Sequence, residues 1–158
     1  SLNWPEKLRE STINKVLLLV PDNRSRSKVL KICSDFEFNL VTAIHPTAQI
    51  MNQALIEPGV WINAGAIIGY KSEIKSGVLI NTRAIVEHHN ILESCCQLDP
   101  AVVTAGNVTI GECTHIHMGA LIANRIKIGA DAIVGAGAVV LSNISPNLKV
   151  AGVPAKEI

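Results

Sequence analysis

Residues 80–111 read "INTRAIVEHHNILESCCQLDPAVVTAGNVTIG", with a large aliphatic side chain at almost every sixth place: Ile80, Val86, Leu92, Leu98 and Ile110. Counted outward, the series runs Ile50, Ile56, Ile62, Ile68, Ile74 before it and Ile116, Ile122, Ile128, Val134, Val140 after it, broken once by Thr104. Four places after each large residue the side chain is usually small or modest, as at Ala54, Ala66, Ala84, Cys96, Ala120 and Ala138. A period of six suits neither a helix at 3.6 residues per turn nor one long strand at 2. Short strands joined by turns satisfy it, each sending one aliphatic inward and one small residue to a corner. Three hexads close a triangular coil of eighteen residues, so residues eighteen apart stack at the sheet spacing of about 4.8 Å. Residues 50–140 then make about five coils. Spacing alone does not set the hand of the coil, since ordinary parallel crossovers are right-handed in about 98% of cases.

The composition agrees. Hydrophobic residues make up 48% of the 158, enough for a sizeable core, while aromatics are only 3%, so stacked aliphatics must fill it. A formal net charge of +1 offers no electrostatic footprint for nucleic acid. The longest purely apolar run, residues 16–20, is far short of the roughly 20 needed to cross a bilayer, and no cleavable signal opens the chain, so a cytoplasmic protein with no membrane partner is expected. Cys33, Cys95, Cys96 and Cys113 lack zinc-ribbon spacing and read as reduced, buried thiols.

Outside the repeat the pattern changes. Residues 13–20 predict a buried parallel strand, 23–35 a short helix whose Arg24, Arg26 and Lys28 form a solvated face, and 38–46 a second strand. The expected division is a partial α/β segment over 1–46, a β-helix over 47–142 and a C-terminal tail over 143–158. Gly59, Gly65, Gly77, Gly135 and Gly137 fall at repeat corners, where positive φ is expected.

Together the hexads, "IHPTA" at their entrance, "NTRAIVEHHNI", "TAGNVTIG", "VGAGAVV" and the closing "VAGVPAK" resemble the left-handed β-helix acyltransferases. They are most similar to the bacterial sugar O- and N-acetyltransferases of the sialic acid and bacillosamine pathways. The resemblance implies a mainly β fold, a left-handed parallel β-helix of hexapeptide repeats with a truncated, Rossmann-like N-terminal α/β segment. It further implies a homotrimer, acetyl-CoA as cosubstrate in the groove between neighbouring β-helices, and a sugar or nucleotide-sugar acceptor. The opening "SLNWPEKLREST" lacks the strand and Gly-rich turn of that family, so a truncated piece or a shortened protein is expected.

His88 matches the family's general base. An acceptor amine or hydroxyl must lose a proton as it attacks a thioester, and imidazole is the side chain whose ordinary pKa suits that task. Gly106, eighteen residues on, matches the glycine that sits close to the thioester in that family, and its N–H, unshielded by a side chain, is expected to approach the thioester oxygen. The family's acidic residue after the base is here His89, which accepts a hydrogen bond but supplies no negative charge. Its acceptor-site histidine, nine beyond the base, is here Gln97, with His115 one coil away as a partial replacement. Asn124, Gly152, Pro154 and Lys156 fall at positions the resemblance assigns to acetyl-CoA, and no metal is expected. Two other readings share the fold: a non-catalytic trimeric scaffold, and a zinc enzyme like the γ-class carbonic anhydrases, built on convergent ligands from His88, His89, His115 and His117.

Overall fold

The computed structural model describes residues 4–9, 11 and 14–158; Ile13 of the expected first strand and residues 1–3, 10 and 12 lie outside them. After α1 (Trp4–Arg9), β1 (Lys15–Val16), α2 (Asn23–Asp35) and β2 (Asn39–Leu40) form a β-α-β unit with β1 and β2 parallel. The helix starts where Asp22 accepts a hydrogen bond from the Ser25 N–H at 2.7 Å, an N-cap that satisfies one orphan donor of the first turn.

The strand expected over 38–46 divides in two. Leu40 pairs with Val16 in the small sheet, while Ala43–Ile44 pairs with Trp61–Ile62 as the first rung of the coil stack. One straight strand cannot serve both sheets, so the chain turns at residues 41–42.

From there the chain climbs through three parallel faces. Face I contains Gln49–Ile50, Ile67–Ile68, Ile85–Val86, Val103–Thr104, Leu121–Ile122 and Val139–Val140. Face II contains Leu55–Ile56, Glu73–Ile74, Ile91–Leu92, Thr109–Ile110 and Lys127–Ile128. Face III contains Ala43–Ile44, Trp61–Ile62, Leu79–Ile80, Gln97–Leu98, His115–Ile116, Ile133–Val134 and Lys149–Ala151, with Lys156–Glu157 folded back antiparallel at its edge. The second residue of each two-residue strand points inward, and from Ile62 to Ile116 every one of these is fully buried. The stack thus begins one strand before Ile50, and it continues past Val140 into a last coil two residues shorter, with Ile133 opposite Lys149.

Helix α2 lies along the corner between faces II and III, fastened by Arg26. That side chain is buried rather than solvated as its sequence context suggested. Its guanidinium donates to the carbonyls of Gly77 (2.7 Å), Cys95 (2.9 Å), Val20 (2.8 Å) and Pro21 (3.3 Å) and to Asn23 Oδ1 (2.7 Å). Arg24 pairs instead with Asp131. All four cysteines are buried and free, and burial pushes their thiols up, that of Cys95 to about 11. Gly135 departs from the expected positive φ; a Cβ there would stand 2.9 Å from that of Ala151, so close approach explains this glycine. Among the described residues no helix is long and apolar enough to cross a membrane.

Candidate active site

The corner between faces I and II carries Glu87, His88 and His89. His89 sits in the left-handed region at φ 57°, as Gln53, Lys71, Asn107 and Arg125 do at the same place in other coils. That sharp reversal throws two consecutive imidazoles outward on one corner. His88 Nδ1 lies 3.0 Å from His89 Nδ1, so one proton is shared between them. With that proton on His88, His88 Nε2 keeps its lone pair for a ligand and His89 is the orienting acceptor.

Gly106 stands one coil above. A Cβ built on it would fall 2.3 Å from His88 Cε1 and 2.6 Å from Nε2, so the ring occupies the space a side chain would need. Gly106 is not in the left-handed region, and room for the imidazole is what requires glycine there. Gly69 does the same one coil below, where a Cβ would meet Glu87 C at 2.5 Å and His88 N at 2.6 Å. Asn124 continues the column one coil above Gly106, exposed, with Arg125 N–H donating to Gly106 O at 3.0 Å.

The other expected residues lie elsewhere on the same chain. Gln97 and His115 are stacked in register on the outside of face III, as their separation of eighteen required. Between them and the III/I corner sits Asp99, which the sequence reading did not single out. Its Oδ1 accepts from Gln97 Nε2 (2.8 Å) and Asn81 Nδ2 (3.4 Å), and its Oδ2 from His115 Nε2 (2.9 Å) and His117 Nδ1 (3.1 Å). Burial pushes the Asp99 carboxyl up, but the donors from Gln97, His115 and His117 outweigh it and hold the group below the usual carboxylate range. Burial likewise keeps His115 below the ordinary imidazole value, more than the Asp99 charge restores. Four N–H donors fill the carboxylate's lone pairs. Within one chain His88 and His89 sit on a different corner from His115 and His117, which converge on Asp99, so the four histidines do not meet, and Asp99, His115 and His117 offer ligand atoms within 4.8 Å of one another. A sequence signal for Asp99 did exist: Asn63, Asn81, Asp99 and His117 recur every eighteen residues, and Asn63 Nδ2 donates to Asn81 Oδ1 at 2.9 Å.

Beside His115 the N-terminal unit leaves an open groove of about 550 Å³, lined by Asp22, Asn23, Arg24, Asp131 and Ile133. Asn23 Nδ2 anchors its wall by donating to Cys113 O (3.1 Å) and Thr114 O (3.3 Å). At the top of the stack, Gly152 (φ 94°), Pro154 and Lys156 belong to the exposed hairpin at the III/I corner, tied down by Val139 N–H to Gly152 O and Ala155 N–H to Val139 O. The expected site residues therefore form two groups at opposite edges of face I. His88, His89, Gly106 and Asn124 are on the I/II edge; Gln97, His115, Gly152, Pro154 and Lys156 are beyond the III/I edge.

Comparison with known proteins agrees with this fold. A model of the bacterial transferase hexapeptide, six repeats, matches residues 107–142. No curated protein sequence matches significantly. Among solved structures, PerB from Caulobacter crescentus, in complex with CoA and GDP-perosamine, is 38% identical with a TM-score of 0.95, covering 100% of this chain and 76% of PerB. The acetyltransferase domain of PglB from Neisseria gonorrhoeae, in complex with acetyl coenzyme A, is 31% identical with a TM-score of 0.93, covering 98% of this chain and 76% of that one. WeeI from Acinetobacter baumannii, at 17% identity and a TM-score of 0.58, shares the fold. At 38% identity over the whole of this chain and 76% of PerB, the chain belongs to the hexapeptide-repeat β-helix acetyltransferases that modify sugars.

Proposed function

We propose that the protein transfers the acetyl group of acetyl-CoA to the amino group of a nucleotide-linked sugar, in a groove formed between two copies of the chain. PerB with CoA and GDP-perosamine and the PglB domain with acetyl coenzyme A support the two substrate classes. The observation that carries the groove is the outer surface of face I, where Ile67, Ile85, Val103, Leu121 and Val139 form an unbroken aliphatic column flanked by the two groups of polar site residues. Turned toward a three-fold axis parallel to the stack, this column is covered, and the I/II corner of one copy meets the III/I corner of the next. Rotation about such an axis preserves height. His88 then faces the level of the neighbour's Gln97, Asp99 and His115, all in the same or the adjacent coil. The neighbour's Gly152, Pro154 and Lys156 stand three coils higher, about 14 Å at about 4.8 Å per coil, a span that suits a pantetheine arm passing Gly106 and Asn124.

In this groove His88 Nε2 takes a proton from the acceptor nitrogen as that nitrogen attacks the thioester carbonyl carbon. Gly106 N–H stabilises the oxyanion as it forms. The C–S bond then breaks, CoA leaves as thiolate and takes up a proton, and the amide remains on the sugar. Gln97 and His115, fixed by Asp99, hold the acceptor beside the groove between α2 and face III.

The test is acetyl-CoA turnover against nucleotide-linked amino sugars, GDP-perosamine included, and against free sialic acid. An amide product from a nucleotide-linked amine is expected. Acetylation of sialic acid hydroxyls alone would overturn the assignment of the acceptor, and acetyl-CoA binding without turnover on any sugar would favour a scaffold.

A further inference from the structure

Corners of the stack are generally closed by the backbone, the fourth residue donating to the carbonyl of the first: Ala54 to Met51, Ser72 to Gly69, Ala84 to Asn81, Cys96 to Glu93. The corner that carries His88 is closed by a hydroxyl from the coil below, as Thr42 and Thr114 close two others, but here a buried amide is added. Asn90 N–H donates to Ser72 Oγ at 3.1 Å, and the Glu87 carbonyl, one residue before His88, receives Ser72 Oγ at 2.8 Å and Asn90 Nδ2 at 2.8 Å. Asn90 Nδ2 also donates to Thr104 Oγ1 at 2.8 Å, and Asn90 Oδ1 accepts the Val108 N–H at 2.5 Å. The corner above, which carries Gly106, is thereby also closed by this amide. Thr104 in turn reaches Ile85 O at 3.4 Å.

Ser72, Asn90 and Thr104 are each completely buried, as is Thr114 higher in the stack. A buried amide is costly unless its donors and acceptor are paired, and here all are. The Ser72 closure recurs at Thr114, so what is particular to this column is the Asn90 amide paired with Thr104. The amide fixes the carbonyl that leads into His88 and the N–H two residues beyond Gly106, the two corners whose relative height sets how the imidazole lies over Gly106.

We infer that Asn90, backed by Thr104 and Ser72, is a positioning residue that holds the His88 turn at the height the acyl transfer needs. The inference rests on His88 being the base, as proposed above. It accounts for Thr104, the one break in the inward aliphatic series, as the partner of an amide rather than as a packing defect.

The experiment is the double variant Asn90→Val/Thr104→Val in the full chain, which removes the amide and its hydroxyl partner together; Glu87 O keeps Ser72, and the Val108 N–H can return to the Ala105 carbonyl as at other corners, so the variant is expected to fold. Expected are a melting temperature within a few degrees of the parent, KM for acetyl-CoA changed less than about threefold, and kcat lowered at least about tenfold, since misplacement on the order of an ångström has that effect on a reacting pair. In a His88→Ala background the same two substitutions should lower kcat no further, because the group they position is gone. Turnover at the parent rate in the folded double variant would overturn the inference, as would an equal further loss in the His88→Ala background. If the double variant fails to fold, Thr104→Val alone decides: a fall in kcat with unchanged KM supports positioning, and parent kcat overturns it. His88→Ala with parent turnover would instead remove the base itself, a separate failure.

Discussion

His88 gains its reach from being on a left-handed corner between two glycines, and its orientation from the ring beside it. His88→Ala should lower kcat by about 10²- to 10⁴-fold and leave acetyl-CoA affinity nearly intact, read by steady-state kinetics beside calorimetric titration of the cosubstrate. His89→Ala should cost less, since His89 contributes a single hydrogen bond to the other imidazole at 3.0 Å, and His89→Glu, which keeps an acceptor there, should retain turnover. Gly106→Ala makes a sharper test of geometry. The added methyl would stand 2.3 Å from His88 Cε1, so the ring must swing away; about 10²-fold lower kcat is expected with little change in melting temperature, because the backbone at 106 is not in the left-handed region.

The faces follow from an aliphatic at every sixth position, a rule strong enough that the sequence already places Gln97 under His115 and His88 under Gly106 in register. Corners are less legible where a side chain closes them by hydrogen-bonding to residues a full coil away. Asn90 looks like a minor interruption in a column of small residues until Ser72 and Thr104 are seen on either side of it. Arg26 shows the same limit in the α/β unit: "NRSRSK" reads as a charged exposed face, and only the docking of α2 against the II/III corner reveals five acceptors waiting for one guanidinium. Removing it should be costly. Arg26→Ala leaves the carbonyls of Gly77 and Cys95 unpaired in the interior and is expected to lower unfolding free energy by about 3 kcal/mol or more, measured by denaturant titration. Arg26→Lys should recover only part of that, since a point ammonium cannot serve a planar fan of acceptors.

At the scale of the whole molecule, the proposed groove makes the two groups of site residues on one chain half-sites separated by the width of face I, with the aliphatic column between them for a neighbour to cover. Leu121 is 46% exposed in the isolated chain, at the centre of that column's upper half. Leu121→Asp points a charge outward without touching the coil interior, so secondary structure should survive while the light-scattering mass falls to one chain and turnover disappears. Complementation tests the handed arrangement more stringently. His88→Ala spoils the I/II edge of a chain and leaves its III/I edge intact, whereas Asp99→Ala, by releasing Gln97, His115 and His117, spoils the III/I edge and leaves His88 intact. In a head-to-tail ring of three, any mixed trimer has one groove in which an intact His88 edge meets an intact Asp99 edge. Dissociating the two inactive variants, mixing them in equal amounts and reassembling them should therefore restore about a quarter of the parent activity, three-quarters of the trimers being mixed and one groove in three active. Both variants remaining inactive after subunit exchange, verified by mass spectrometry of differently tagged chains, would mean that His88 and Asp99 do not serve one groove.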